Sequence, residues 1–245
     1  MSAAHNHLIA RLPRKDQRRL QDVGEPVQLA LSEVLSEPAR ITTHAYFPTQ
    51  GFISLVSQVD AHSGLEVGMV GREGMVGAHL VLGVTTSPLR VLVQGPGTAW
   101  RVTAQALSQE LAQSAAMKKL FDRYVYVLMA QTISSAGCLR FHQIGPRLAR
   151  WLLMSHDRAQ EDSFHVTHEF LAYMLGVRRV GVTVAAGALQ ALGLISYHRG
   201  ELRVLDRPGL EAAACSCYSA DRQVYTQHMA MSSAPGLDRQ CHAAA

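Results

Sequence analysis

Residues 167–195 constrain the fold of this chain more than any other segment. If His168 is the first residue of a helix, Gly176 stands ninth, where a tight turn needs a positive backbone angle that glycine adopts at least cost. The positions that two packed helices and their turn must bury are all small or apolar: Leu171, Ala172, Leu175, Val177, Val182 and Ala185. Agreement at all of these positions within one short window predicts a helix-turn-helix.

The charges around this segment favour a polyanionic partner. No acidic residue occurs between Glu169 and Glu201, while Arg178 and Arg179 stand at the start of the proposed second helix. That helix end also offers free backbone N–H groups and the positive end of the helix dipole. Arginines there can reach guanine edges or phosphates when the helix enters the major groove of DNA. Two surface arginines can equally serve to solubilise a helix end, so the turn pattern decides between these interpretations.

A predicted hairpin follows the second helix. Two short apolar runs flank Arg199 and Gly200, and this pattern indicates a two-stranded wing. Arg199 at the tip and Arg203 on one strand can hold the sugar-phosphate backbone, which fixes the register of binding without reading the sequence. The residues predicted to contact DNA are Thr167, His168, Arg178, Arg179, Thr183, Arg199 and Arg203.

The pattern of apolar and turn-forming residues is different upstream of this domain. The first forty residues predict a short helical lead. From Thr42 to Val102 short apolar runs alternate with glycine-rich turns, which indicates an antiparallel roll or barrel that either encloses a ligand or is filled by its own core. Around Thr103 the period lengthens to that of a long helix, which Ser108 is placed to cap.

The long helix is apolar nearly all round at residues 124–129 and so needs two burial surfaces. One is its own roll, and we expect the other to be the same helix of a second subunit. Burial inside a monomer is the alternative. The predicted dimer contacts are Leu120, Tyr124, Val127, Leu128 and Gln131.

Composition excludes several classes of protein. With 48% hydrophobic and 17% charged residues the chain is not disordered, and a net charge of +4 is too small to indicate nucleic acid by itself. The first residues carry no export signal, and the uncharged stretches at 124–139 and 180–197 contain polar residues or glycines typical of buried helices rather than membrane spans. No nucleophile elbow, phosphate loop or metal-ligand pair at diagnostic spacing occurs, so an enzyme is not expected.

The four cysteines, Cys138, Cys215, Cys217 and Cys241, fit a reducing cytoplasm without a disulfide framework. One residue separates Cys215 from Cys217, which is uncommon for structural zinc, and no nearby pair completes a tetrahedral set. No metal site is therefore predicted. A thiol sensor at Cys138, near the hinge before the C-terminal domain, is an alternative to the favoured interpretation as a buried structural thiol.

The order of roll, long helix and terminal winged helix, with Leu-Gly-Val-Arg-Arg at 175–179, resembles the Crp/Fnr superfamily of bacterial transcription regulators. Residues 47–55 and 71–77 are similar to roll segments of that family, and residues 147–153 to the helix that opens its DNA-binding domain. The resemblance covers residues 20–218. It implies an α+β fold: an antiparallel β-roll of the cyclic-nucleotide-binding type at 1–106, a dimerisation helix at 107–140, a winged helix-turn-helix at 141–220 and a tail at 221–245.

The same resemblance implies a cytoplasmic homodimer that binds a pseudo-palindromic operator in double-stranded DNA, acts with RNA polymerase and receives a signal at the roll. The matching ligand-pocket positions are Gly77, Ala78, Ser87 and Arg90. Cyclic-nucleotide-binding members carry Gly-Glu and an Arg-Ser or Arg-Thr pair, where this chain has Gly77-Ala78 and Ser87-Pro88. Proline offers neither a hydroxyl nor an amide donor to a phosphate, so cyclic AMP is not the expected ligand.

Two further departures limit what the resemblance implies. No cysteine precedes Cys138, so an iron–sulfur sensor is not expected, whereas a haem held by one of the 12 histidines stays open. In the recognition helix Val180 and Val184 replace the Glu and second Arg of the best-known member; they can touch thymine methyls but cannot read guanine or cytosine. The alternative function is a small-molecule-binding module whose winged helix contacts proteins.

Overall fold

The computed structural model describes residues 6–58, 64–159 and 161–230. The helices, in chain order, are α1 (His7–Ala10), α2 (Arg14–Asp22), a 3-10 helix (Ala78–Leu82), α3 (Ala104–Gln113), α4 (Ala115–Phe141), α5 (Ile144–Ala159), α6 (His168–Leu175), α7 (Arg179–Ala191), α8 (Arg207–Ala213) and α9 (Cys217–Met229). The strands are β1 (Gly24–Leu29), β2 (Val34–Ser36), β3 (His44–Ser57), β4 (Leu65–Val70), β5 (Leu89–Thr103), β6 (Ser163–His165), β7 (Ile195–His198) and β8 (Glu201–Val204). This mixed architecture confirms the predicted α+β class.

The N-terminal part is the predicted antiparallel roll. Its sheet has the order β1-β5-β3-β4, with β2 also paired to β5. The two long strands, β3 and β5, are irregular around Gly51 and Gly97, where a Cβ on Gly97 would lie 2.3 Å from the carbonyl oxygen of Gln50. Only glycines permit that approach, and such irregularities bend long strands. The helical lead is shorter than expected, because Leu29 lies in β1 rather than in a helix.

The helix that leaves the roll is broken where the sequence predicted it to be continuous. Ser108 lies inside α3 rather than at a helix start. The Thr103 hydroxyl caps α3, and the Ser114 hydroxyl caps α4 by accepting from the N–H of Met117. Ser114 also donates to Asp16 of α2 over 2.8 Å, and this buried contact anchors the cap to the roll domain.

Helix α4 packs the predicted dimer residues wholly or partly against its own subunit. Tyr124 and Val127 are buried, and the Tyr124 hydroxyl donates to the carbonyl of Met75 in the roll. Leu120 and Leu128 are partly buried against the same apolar cluster, and Gln131 lines a cavity of the subunit. The helical period identified an apolar stripe correctly, but the roll covers that stripe.

The C-terminal domain joins α5–α8 to a three-stranded sheet of order β6-β8-β7. Its core contains the fully buried Leu148, Leu152, Leu171 and Val182. The same apolar cluster continues into the roll through Phe52 and its neighbours. A 2.7 Å ion pair between Arg158 of α5 and Glu73 of the roll adds a polar contact, so the two domains share one core in this conformation.

Residues of the predicted tail form part of α9, which packs on α4. The Tyr225 hydroxyl donates to the carbonyl of Glu73, 2.7 Å away, so α9 also reaches the roll. The rest of the predicted tail, including Cys241, and the first five residues lie outside the described residues. Among the described helices none is by itself long and apolar enough to cross a membrane; only α6 and α7 pass that test as a pair, bent by 109°.

Candidate nucleic-acid interface

Helices α6 and α7 form the predicted helix-turn-helix. Their axes differ by 109°, within the range of the DNA-binding motif. Leu171 and Val182 are fully buried between them, and Ala172 and Ala185 are also buried, as their positions predicted. Gly176 ends α6 with a φ of 62°, a left-handed conformation that costs glycine least. The turn therefore has the left-handed glycine, and the helices beside it the buried positions, that the sequence predicted.

The start of α7 is open to solvent and positively charged. Arg178 is the N-cap residue of α7 but its side chain makes no capping hydrogen bond, so the first N–H groups of the helix have no side-chain acceptor. Arg178 and Arg179 are both exposed. Across residues 6–58, 64–159 and 161–230, no carboxylate forms an ion pair with either guanidinium, whereas Arg150 and Arg158 of α5 are both paired.

His168 joins the recognition helix to the wing. Its Nδ1 lies 3.0 Å from the Thr183 hydroxyl of α7, and its ring stacks on Tyr197 of β7 with centroids 4.4 Å apart. Burial and the charge of Arg179 lower the pKa of His168, so its ring is neutral at pH 7. Two more contacts fix the wing: the Tyr197 N–H donates to the Gln190 side chain of α7, and its hydroxyl to a backbone carbonyl before α6.

These contacts engage three of the residues predicted to bind DNA. The Thr183 hydroxyl donates to the Arg179 carbonyl over 3.1 Å. Thr167 accepts from the N–H of Phe170 and thereby caps α6, although it stays exposed. His168 is half-buried and positions its neighbours.

The wing is a hairpin whose tip is a two-residue turn. Arg199 and Gly200 have φ of 51° and 88°, the two positive angles of a type I′ turn. Arg203 is exposed on β8, the middle strand, and its neighbours across the ladders are Ser163 and Ser196. The sequence missed β6, which makes the wing sheet three-stranded. Among the described residues, neither Arg199 nor Arg203 has an ion-pair partner.

The outer face of α7 is apolar beyond its first turn. Val180 and Val184 are 66% and 69% exposed, and Gly187 and Ala188 continue the same exposed face. Exposed valines at the centre of a recognition surface suit contact with thymine methyl groups. Guanine readout by this helix would therefore fall to Arg178 and Arg179 at its start.

A small cavity of the roll touches one of the predicted ligand-pocket residues. A cavity of about 20 Å³ lies beside Gly77, lined also by Thr42, His44 and His79. That volume holds about one water molecule. The other predicted pocket residues do not line this cavity: Ala78 opens the 3-10 helix, Ser87 accepts from the N–H of Leu89, and Arg90 pairs with Glu37 at 3.4 Å.

A larger cavity lies outside the roll, where the domains meet. Its volume is about 240 Å³, and its walls include Arg72 and Glu73 of the roll, Gln131 of α4, Asp157 of α5 and Tyr225 of α9. Burial, with the charge of Glu73 second, raises the pKa of Tyr225 to about 12, so the phenol is protonated at pH 7. The sequence could not indicate this cavity, because the roll, α4, α5 and α9 build it together.

The solvent side of α4 carries an apolar stripe. None of its residues is among the dimer contacts predicted from the sequence. Tyr126, Met129 and Ile133 are exposed, Ile133 to 66%, and Ala136 extends the series. Their spacing of three, four and three residues is that of a heptad seam. Exposure of large apolar side chains in this order indicates a surface for another helix.

Cys138, Cys215 and Cys217 converge at the end of α4. The Sγ atoms of Cys138 and Cys215 are 3.5 Å apart, and Cys217 lies 3.6 Å from Nδ1 of His142. No nearby pair in the sequence completes a tetrahedral set with Cys215 and Cys217, but folding brings Cys138 and His142 beside them. The hydrogen bond between Cys138 and Cys215, followed by burial, raises the pKa of Cys138, opposite to what an oxidation-prone thiolate at that position needs, whereas the same bond lowers the pKa of Cys215.

Comparison with known families and structures agrees with this geometry. Residues 146–213 match the family model of the Crp-like helix-turn-helix domain. A search of curated proteins gives no match.

Solved structures similar to this chain have low sequence identity but cover most of its length. A protein from Eubacterium rectale assigned to the Crp/Fnr family of transcriptional regulators is 16% identical with a TM-score of 0.66, covering 85% of this chain and 98% of its own. FixK2 from Bradyrhizobium japonicum is 12% identical with a TM-score of 0.67, covering 79% and 98%. The regulator CLP from Xanthomonas campestris, described as responsive to c-di-GMP, is 16% identical with a TM-score of 0.63, covering 78% and 99%. Most of the chain therefore has the fold of these regulators.

Proposed function

We propose that this chain is a DNA-binding transcription regulator of the Crp/Fnr superfamily, which its Crp-like helix-turn-helix domain and the fold that it shares with these regulators support. We propose that it acts in the cytoplasm as a homodimer on a pseudo-palindromic operator, with RNA polymerase as its further partner. A solved structure similar to this chain is described as a transcriptional regulator, and we propose no enzymatic activity for this chain.

The unpaired arginines on the recognition helix and wing are the observation that carries the proposal. Arg178, Arg179, Arg199 and Arg203 are exposed, and none forms an ion pair within the described residues. Contacts through His168 and Gln190 hold the wing beside α7, so all four charges belong to one connected unit. Exposed guanidinium groups without carboxylate partners are available to phosphates and guanine edges.

Each element of this unit has a distinct proposed role. The open N-terminus of α7 and its two arginines approach the major groove, where a helix N-terminus favours a phosphate and an arginine can bind guanine in a bidentate manner. Val180, Val184 and the Thr183 methyl meet thymine methyl groups. Arg199 and Arg203 contact the backbone beside the groove.

The homodimer is proposed to form through the exposed stripe of α4, which comprises Tyr126, Met129, Ile133 and Ala136. Tyr124 and Val127 on the opposite side of α4 are buried within the subunit, whereas Leu120, Leu128 and Gln131 are partly buried there. The stripe runs along a 27-residue helix with heptad spacing, which suits a parallel pairing with a second copy. Such a pairing places two identical recognition helices on one duplex.

The signal is proposed to act where the roll meets the helices. A cavity of about 20 Å³ inside the roll is too small for a metabolite unless the roll opens. The cavity of about 240 Å³ at the domain junction can admit a small polar molecule, and its walls belong to both domains. A ligand that binds one domain arrangement better than another shifts the population towards it.

Charge reversal tests the DNA-binding proposal. We expect Arg178→Glu with Arg179→Glu to abolish operator binding, measured by fluorescence anisotropy on fragments selected from genomic DNA, while the fold and dimer persist. The matched control reverses Arg14 and Arg18, two exposed arginines of α2 in the roll domain, and should leave most of the affinity.

The outcomes separate the two candidate functions. A common palindromic motif among the selected fragments supports the regulator. If wild-type protein enriches no common DNA sequence, the alternative of a module whose winged helix contacts proteins replaces it. If the Arg178 and Arg179 double variant binds as tightly as the wild type, α7 is not the reading helix.

A further inference from the structure

Four side chains with metal-binding atoms meet where α4 ends. Cys138, His142, Cys215 and Cys217 each present one sulfur or nitrogen, and these four atoms all lie within 4.8 Å of one another. Zinc bonds of about 2.3 Å to sulfur and about 2.0 Å to nitrogen give a tetrahedron with S–S edges of about 3.8 Å and S–N edges of about 3.5 Å. The Cys138–Cys215 and Cys217–His142 separations of 3.5 and 3.6 Å are close to these edges.

The fold explains why the sequence spacing hid this cluster. Cys138 and His142 are four residues apart at the last turn and C-cap of α4, a spacing that puts two side chains on one helix face. Cys215 lies between α8 and α9 and Cys217 opens α9, so the chain turns between the two thiols. The N–H of Cys215 donates to the carbonyl of Pro146 at the start of α5, which fixes this turn beside the end of α4.

The surroundings suit a closed, sulfur-rich site. Cys138 and Cys215 are buried, while Cys217 and His142 are half-buried and leave a path for an ion. Three thiolates and a divalent cation carry one net negative charge. The guanidinium of Arg150 acts electrostatically on all three sulfurs and is held in place by a 2.6 Å ion pair with Asp221.

We propose that Cys138, His142, Cys215 and Cys217 bind one Zn²⁺ ion. Three soft thiolates and one imidazole are a donor set that selects zinc, and four protein ligands leave no open position, so the site is structural rather than catalytic. The ion links the end of the long helix directly to the junction of α8 and α9. The ion thereby fixes the C-terminal domain to α4, the helix that connects this domain to the roll.

A disulfide between Cys138 and Cys215 is the competing interpretation. A disulfide explains one close sulfur pair but does not explain why Cys217 lies beside His142. The convergence of all four atoms favours the metal, and the two alternatives make opposite demands on the thiols, since zinc needs them reduced and a disulfide consumes them.

The test measures metal bound to the full chain, purified reduced and without a polyhistidine tag. After dialysis against a weak chelator, we expect mass spectrometry to find about one zinc per subunit, and replacement by Co²⁺ to give the visible absorption of a tetrahedral thiolate site. Cys138→Ser and His142→Ala should each lower the zinc content at least about tenfold. Cys241→Ser, a matched thiol substitution outside the described residues, should leave it unchanged.

A ligand exchange covers the case in which ligand removal prevents folding. His142→Cys supplies a fourth thiolate and should retain zinc while changing the cobalt spectrum. Reduced wild-type protein that holds less than about a tenth of an equivalent of zinc and gives no cobalt spectrum overturns the proposal. So does a Cys138–Cys215 disulfide, detected as the loss of two hydrogens, that persists in freshly isolated protein exposed to zinc.

Discussion

Replacing Arg199 at the wing tip with Asn should raise stability and lower DNA affinity at once. Arg199 has a φ of 51°, and a left-handed conformation costs an ordinary L-residue about 1–2 kcal/mol. Asn tolerates this conformation better, and Asn followed by glycine is a favoured pair for the two-residue turn that Arg199 and Gly200 form. We therefore expect Arg199→Asn to raise the free energy of unfolding by about 0.5–1 kcal/mol, or Tm by about 1–4 °C.

The same substitution removes a proposed phosphate interaction from each subunit. The slope of log K against log salt should become less negative by about 0.9 for each phosphate that is no longer neutralised, or about 2 for a dimer. Affinity should fall to a similar extent on every operator sequence, because an arginine bound to phosphate reads no base. Thermal unfolding and anisotropy titrations at several salt concentrations measure the two effects on one sample.

Arg203→Asn is the control for this prediction. Arg203 lies in β8 without a positive φ, so its removal should reduce affinity and the salt slope without any gain in stability. A lower Tm for Arg199→Asn, or an unchanged salt slope, would refute the assignment of Arg199 to a strained turn that faces phosphate. Opposite signs in stability and affinity cannot arise from partial unfolding.

Two further predictions concern the interior and the proposed dimer face. Burial raises the pKa of Glu66 to about 7, although Ser54 donates a hydrogen bond to its carboxylate. The folded state therefore holds the proton more tightly than the unfolded state does. The free energy of unfolding should fall by at most about 3 kcal/mol as pH rises from about 4.5 to 7. Glu66→Gln should flatten that profile in urea titrations, and an unchanged slope would contradict the assignment. Ile133→Glu should convert the dimer to a folded monomer by light scattering, whereas Val127→Ala should leave the dimer and cost about 2 kcal/mol of stability. A dimer that survives Ile133→Glu would exclude the proposed stripe.

The local elements of the DNA-reading domain follow from the amino-acid sequence alone. The spacing of Leu171, Gly176 and Val182 sufficed for the helix-turn-helix, because helix periodicity and a left-handed turn are fixed by neighbouring residues. Arg199-Gly200 between two apolar runs likewise sufficed for the wing, since a two-residue turn sets the register of its own strands. The predicted contacts of these residues with DNA remain predictions.

Which surfaces are covered and which stay open depends on tertiary packing. Helix α4 is apolar on two sides, and its periodicity could not tell which side the roll covers, so Tyr124 and Val127 proved internal while Met129 and Ile133 stayed exposed. The same limit applies to the N-cap of the long helix. The sequence predicted a cap at Ser108, whereas in the folded chain Ser114 caps α4 and also contacts Asp16 of α2.

The cluster of three cysteines and one histidine shows most clearly that local sequence patterns do not reveal contacts between distant segments. Cys138 and Cys215 are 77 positions apart, and no local pattern connects them. They meet because α5–α8 fold into a domain that returns the chain to the end of α4. Local spacing encodes helices, turns and hairpins, whereas contacts between distant segments depend on how whole faces pack together. For that reason the sequence revealed the DNA-reading motif, and only the folded chain revealed the candidate zinc site beside it.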